Sequence, residues 1–284
     1  MAHDPLEHVI DHPLFSGAPV TKYQVLIVAA AALVAALYIP LARKVATGEP
    51  VRGPLWNALE ALLIFIRDQV ARPNIGSGHD HHEFHSDAQE HGEEAREAYL
   101  DPQHFLADKY VPFLWTLFLF ILACNLLGMV PFLGSPTADI SVTLVLAAIV
   151  FLVIHVSAVI RLGPGKYVMS FIPHLKGDNL LMSIFLSVLI VPLIAVIEVL
   201  GAFIRGAVLA IRLFANIFAG HVALAVILAF AIGANNQFSP GGGVAAVFLG
   251  TALSVLELFV AFLQAFVFVL LTSIFLGMQL NPEH

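Results

Sequence analysis

The sequence predicts an all-α polytopic membrane protein, and three observations predict it. Of its 284 residues 59% are hydrophobic and 12% charged, with a mean hydropathy of +0.90, where a soluble domain carries about 25% charged residues. The apolar residues come in runs of roughly 17–20 residues or more, long enough to cross a hydrocarbon core of about 30 Å as helices. Basic residues gather after alternate runs, Arg43, Lys44 and Arg52 after the first, then Arg161, Lys166 and Lys176. That asymmetry marks the cytoplasmic ends of spans.

Taken in order, residues 1–24 form a polar segment with Asp4, Glu7, His8, Asp11 and His12. No basic stretch with a small-residue cleavage site opens it, so no cleaved signal peptide is expected. Residues 25–42 read as a transmembrane helix, and the basic residues after it place the N-terminus outside. Over 54–72, Leu55, Leu59, Leu62, Leu63, Ile66 and Val70 recur at helical spacing, while Asn57, Glu60, Arg67 and Asp68 mark another face. This predicts an amphipathic helix, lying on the cytoplasmic membrane surface or packed on a neighbouring soluble subunit. Residues 76–108 are rich in histidine and acid, with His79-Asp80-His81-His82-Glu83-Phe84-His85 and His91. A fixed metal site needs ligands held by structure. These lie among glycines, serines and acids without apolar periodicity, so a solvated loop is expected and no metal or other cofactor is assigned. The same stretch supplies much of the net charge of −7, which gives no reason to expect nucleic-acid binding.

Residues 110–162 read as a transmembrane hairpin. Val111–Val130 carries Asn125 and ends at Pro131, the connection Phe132–Asp139 holds no basic residue, and Ile140–Ile160 returns to Arg161. His155 in the returning span reads as a packed core histidine, and Cys124, the single cysteine, as a small packing residue. Two long apolar stretches follow, 179–232 and 244–280. The first would be about 80 Å long as one helix, so it is either two spans broken near Gly201–Gly206 or one long, tilted or bent helix. The loop Gly233–Gly243 has no basic residue, which favours one net crossing and a cytoplasmic C-terminus.

Between Asn179 and Pro282 the only charged residues are Glu198, Arg205, Arg212 and Glu257. Charge at bilayer depth costs kilocalories, and its default reading is an ion or proton path. On a helix Asn216 shares the Arg212 face, as do Arg205 and Glu198 at multiples of seven residues, whereas His221, nine residues on, faces the opposite way. On the last stretch Glu257 and Gln264, seven apart, share a face. If the two helices run antiparallel, Glu257 can meet His221 while Gln264 approaches Arg212. A carboxylate–imidazole pair relays protons near neutral pH, although it can equally pin two helices together. Arginine stays charged. It therefore acts as a fixed cation that favours the ionised form of a nearby carboxylate. No acid of this chain lies four residues from Arg212, so that carboxylate would belong to another subunit. Ala207, Ala210, Ala215, Ala219 and Gly220 would let a partner helix approach closely.

These residues also carry a resemblance. The run Arg212-Leu-Phe-Ala-Asn216-Ile-Phe-Ala-Gly220-His221, followed by Glu257-Leu-Phe-Val-Ala-Phe-Leu-Gln264, is similar to subunit a of the F-type ATP synthase of bacteria. So are Asn125-Leu-Leu-Gly-Met-Val-Pro131, Pro136-Thr-Ala-Asp139 and the opening Glu7-His-Val-Ile-Asp-His-Pro-Leu14. The resemblance implies one N-terminal transmembrane helix, a surface helix, a hairpin and two long tilted helices facing a rotor ring of c subunits. It implies that Arg212 faces the ring carboxylates and blocks leakage between two half-channels. Glu198, Asn216 and Gln264 match polar positions near the cytoplasmic route and the arginine, and His221 and Glu257 match the pair lining the outer half-channel, with Asn125 and Asp139 near its mouth. Some relatives carry the acid and the histidine of that pair in exchanged places, and some carry an acid where Gly128 stands.

The implied role is a proton-conducting stator subunit in the cell (inner) membrane, working with the c-subunit ring, the b subunits of the peripheral stalk and the rest of the ATP synthase. No catalytic site is expected in this chain, which has no phosphate-binding loop of the P-loop type. The alternative, a metal-ion carrier fed by the His-rich loop, would need ligand pairs at i, i+4 within the spans. The sequence offers none.

Overall fold

The computed structural model describes residues 21–46, 53–76, 102–130, 135–170, 191–232 and 240–281. The His-rich stretch 79–91 and the first part of the long stretch 179–232 lie outside these residues. The described elements are α1 (Lys22–Ala46), α2 (Pro54–Phe65), α3 (Pro102–Gly128), α4 (Ile140–Leu162), α5 (Pro164–Ser170), α6 (Val191–Ile232) and α7 (Pro240–Leu280). A π-helical stretch, Ile66–Gly76, continues α2, and a 3₁₀ turn, Pro136–Ala138, precedes α4.

Four of these helices start on proline (Pro54, Pro102, Pro164 and Pro240). There the missing N–H costs nothing and the fixed φ suits the first turn. That is why α3 begins at Pro102, inside the stretch 76–108 expected as loop. Gly163, at φ 81°, ends α4 in the left-handed conformation that glycine adopts without steric cost. Among the described residues five helical segments are long and apolar enough to cross a membrane: Lys22–Lys44, Leu106–Gly128, Ile140–Leu162, Leu200–Ile227 and Gly243–Leu280. The choice left open for 179–232 falls to one helix as far as it is described, because α6 runs unbroken through Gly201–Gly206 for 42 residues, about 63 Å. The glycines weaken the apolar run there without supplying a stop.

The chain divides into two compact units. The first takes residues 1–56, 116–146 and 209–268. Its core joins Phe118, Ile121 and Cys124 of α3 with Leu209, Leu213 and Ile217 of α6 and Ala261, Ala265 and Phe268 of α7. Leu209, Leu213 and Ile217 recur every fourth residue, one face of a helix. Phe118 meets Phe262 edge to face at 5.6 Å. The 3₁₀ turn packs against α1.

The second unit takes residues 57–115, 147–208 and 269–284. In it the stretch predicted as amphipathic changes character along its length. No residue of α2 is buried, with Ile64 and Phe65 exposed, whereas Ile66, Val70, Ala71 and Ile75 are fully buried. Side chains from elsewhere in the unit clamp that second half. Ser273 donates to the Val70 carbonyl (2.8 Å) and Asn281 to the Ile75 carbonyl (3.0 Å), while Arg161 donates to Asn281 (2.9 Å). The Asn74 carbonyl fills the space that a side chain at Gly277 would need. Arg72 forks onto Asp108 with two bonds of 3.0 Å and reaches Asp68 at 3.1 Å.

Candidate functional site

The polar groups of the first unit converge where α6 and α7 meet. On α7 the inward stripe is Glu257, Ala261, Gln264, Ala265 and Phe268, all buried. Spacings of three and four residues put them on one helical face, so the two polar members are carried inward by their small and aromatic neighbours. Glu257 lies against Gly220 of α6. A Cβ on Gly220 would stand 2.7 Å from a Glu257 carboxylate oxygen and 3.0 Å from Cδ, so the bare glycine is what admits the carboxylate. Gln264 accepts a hydrogen bond from Asn216 through Oε1 at 3.4 Å. Its Nε2, in a side chain 3% exposed, has no acceptor among the described residues. Going up α7 from 257 to 264 thus runs down α6 from 220 to 216, so the two segments are antiparallel.

Arg212 stands one turn before Asn216 on α6. It is exposed, as are Ile211, Ala215 and Ala219, and among the described residues it has no ion-pair partner. Its face is therefore the side of α6 turned away from Leu209, Leu213 and Ile217. The residue after Gly220 is His221. The side chains of His221 and Glu198, both on α6, lie outside the described residues.

Asn125 and Asp139 sit at the turn between α3 and α4. Asn125, 1% exposed, receives a hydrogen bond from Thr137 Oγ1 (2.8 Å) and donates to the Ala261 carbonyl of α7 (3.2 Å). Asp139 is half-buried and caps α4, accepting from the Ser141 amide at 2.8 Å. Ser135 packs so closely on Gly128 that no side chain fits there as the turn stands. Sequence reasoning missed Thr137 as the partner of Asn125 and Ser135 as the partner of Thr137. The motif Pro136-Thr-Ala-Asp139 was the available signal, but nothing local says which way its threonine points. Gly220 was read as a place where another helix comes close, and here it receives Glu257 of α7. Among the described residues no three His, Cys, Asp or Glu side chains gather as metal ligands.

A multi-pass helical membrane protein whose spans hold an exposed arginine, a buried carboxylate and buried amides belongs to the class built for moving ions. Comparison narrows the class. Residues 99–277 match the family model described as ATP synthase A chain. The chain is 33% identical over 267 residues to ATP synthase subunit a of Myxococcus xanthus, covering 93% of this chain and 74% of that relative. It is 30% identical over 303 residues to ATP synthase subunit a of Chlorobium phaeobacteroides, covering 98% and 75%. With ATP synthase subunit a of Anaeromyxobacter dehalogenans strain 2CP-1 it shares 34% over 225 residues, 78% of this chain and 48% of that relative. This chain belongs to the ATP synthase subunit a family.

Proposed function

We propose that this chain is the proton-conducting stator of the ATP synthase membrane sector. It forms two half-channels that lead to carboxylates on a ring of c subunits and so couples proton flow to rotary ATP synthesis. The observation that carries the reading is Arg212, an exposed cation on an apolar helix with no carboxylate partner among the described residues. A charge in that setting is retained when a partner supplies the counter-ion, and exposed Ala215 and Ala219 give a partner helix room to come close.

The chain's own residues then divide the work. Arg212 keeps its proton at any physiological pH, so no proton passes along it. It favours the ionised form of each ring carboxylate that comes beside it. On the outer side Glu257, held against Gly220, and His221 exchange protons near neutral pH. Asp139 stands nearer the outer mouth. Asn216 and Gln264 stand one turn from Arg212, between it and the Glu257 contact, and Glu198, fourteen residues before Arg212 on α6, offers polar footing on the cytoplasmic side for protons leaving the ring. The N-terminus is outside and the C-terminus cytoplasmic, in the cell (inner) membrane, with b subunits of the peripheral stalk holding the chain against rotation. The covalent chemistry of ATP takes place in other subunits.

Cysteine substitution tests the arrangement. With Ala215→Cys or Ala219→Cys in native membranes, oxidation is expected to join this chain to cysteines in the c-subunit helix that bears the carboxylate. Correct insertion without any such product would remove the rotor from the Arg212 face.

A further inference from the structure

Ser135, Thr137 and Asn125 form a buried chain of hydrogen bonds that ends on the helix bearing Glu257 and Gln264. Each of the three is 1% exposed. Ser135 Oγ and Thr137 Oγ1 are 2.7 Å apart, Thr137 Oγ1 lies 2.8 Å from Asn125 Oδ1, and Asn125 Nδ2 lies 3.2 Å from the Ala261 carbonyl. The direction of the chain follows from donor and acceptor counting. A carbonyl only accepts, so the Asn125 amide must turn its NH₂ to Ala261 and its oxygen to Thr137. Thr137 must then donate to that oxygen, which leaves its own oxygen to accept from Ser135. The contact of Ser135 with the Cys124 carbonyl, at 3.4 Å, is the weaker claim on the same hydroxyl proton. The order Ser135 to Thr137 to Asn125 to Ala261 is therefore fixed and polarised, and aligned buried bonds of this kind strengthen one another.

Ala261 is one turn beyond Glu257 and three residues before Gln264, on the same inward stripe. The carbonyl that receives Asn125 has a second lone pair beyond the one used in the helix, so the bond is made without unwinding α7. The outer end of the chain is equally rigid. The Ala138 amide donates to the Ser135 carbonyl (3.0 Å) and the Asp139 amide to the Pro136 carbonyl (3.2 Å), closing the 3₁₀ turn, while Gly128 lies flat against Ser135.

We infer that Thr137 and Asn125 are positioning residues. They fix the rotation of α7 about its axis, so that Glu257 lies on Gly220 and Gln264 meets Asn216. They are not steps on the proton path. The inference rests on the reading of Glu257 and Gln264 as proton-path groups, and it gives Asn125 a different part from a channel wall. Both polar ends of its side chain are occupied by protein, and no surface is left for water.

The test uses the assembled enzyme in native membranes, in a Cys124→Ala background. A reporter pair, Gly220→Cys with Glu257→Cys, is expected to oxidise readily to a disulfide. Adding Thr137→Val should slow that closure by about five-fold, the size of one lost hydrogen bond, and Thr137→Ser should restore it. In enzyme without the reporter pair, Thr137→Val should lower proton-driven ATP synthesis per assembled complex roughly tenfold, as small misplacements of reacting groups do. Thr137→Ser should return it. If Thr137→Val does not accumulate, Ser135→Ala is read in the same way, with a smaller effect expected in both assays. Unchanged disulfide closure with lost synthesis would overturn the inference by placing the hydroxyl on the proton path. Unchanged values in both assays would overturn it too. The disulfide assay does not depend on proton flow, so it still decides the positioning role if Arg212 proves dispensable.

Discussion

Two arginines, one in each unit, show opposite ways of keeping a guanidinium. Arg72 engages two carboxylates of its own chain, Asp108 through Nε and one terminal nitrogen and Asp68 through the other, and its side chain is 17% exposed. Arg212 is exposed among Ile211, Ala215 and Ala219 and has no carboxylate beside it among the described residues. The planar fork of arginine matches carboxylates with several donors at once. A chain that needs arginine for architecture can therefore neutralise it internally, as at Arg72. On the function proposed above, the charge left open inside an apolar span at Arg212 is held for another molecule. Residue type is the same in both places, and the state of the donors separates the roles.

The largest expected effect breaks or keeps this contrast. Arg212→Ala should reduce proton-driven ATP synthesis in inverted membrane vesicles by roughly 100-fold or more, the scale of losing a preorganised charge at a reacting centre. The amount of inserted, assembled complex should not change. Arg72→Ala should do the reverse. Asp68 and Asp108 are 35% and 37% exposed, so solvent screens the pair and the loss of stability should be about 1 kcal/mol, read as a lower melting temperature. Synthesis per assembled complex should hold. Lost transport at full assembly in Arg72→Ala would erase the distinction.

Two glycines sharpen it at the next size down. A Cβ at Gly220 meets the end of the Glu257 side chain, with 2.7 Å to the carboxylate oxygen. The carboxylate can swing away, so Gly220→Ala should leave assembly intact and slow proton conduction about tenfold through misplacement. A Cβ at Gly277 meets the Asn74 main-chain carbonyl, which has no such freedom. Gly277→Ala should force two backbones apart at a cost of about 1–3 kcal/mol, visible as loss of assembled complex with normal turnover in what remains. Equal losses of turnover in the two variants would mean that both contacts serve one purpose.

The sequence told these cases apart only in part. Spans and basic flanks are written in local composition, and Arg212, Asn216, Glu257 and Gln264 stand out because apolar surroundings make polar groups conspicuous. The seven-residue spacing of Glu257 and Gln264 puts both on one face, and the structure brings Gln264 to Asn216, one turn from Arg212. Other features were not legible because they join residues far apart in the chain. Arg72 and Asp108 are separated by 36 positions, Asn125 and Ala261 by 136, and Ser273 and Val70 by 203. The periodicity over 54–72 announced an apolar face without saying what covers it. The second half turned out to be buried by the chain itself, while α2 stays exposed. Gly201–Gly206 was ambiguous because glycine lowers helix propensity without forbidding a helix.

The smallest expected effect concerns a histidine that invites a proton-carrying role and has a local explanation instead. His155 of α4 receives or gives one hydrogen bond, Nδ1 to the Tyr167 hydroxyl at 2.9 Å. Its ring packs on Phe151 with centroids 3.9 Å apart, and Phe151 stacks on Phe203 at 5.1 Å. Aromatic neighbours on one side, one hydroxyl on the other and the charge of Arg205, a group that neither takes up nor releases a proton, suit a packing group rather than a relay. Tyr167→Phe removes the hydroxyl and leaves Nδ1 half-buried, so stability should fall by about 1 kcal/mol. Proton-driven synthesis per complex should stay within roughly a factor of two, as for most substitutions away from a functional group. A tenfold fall at unchanged assembly would make His155 a carrier and overturn its reading as a packing group.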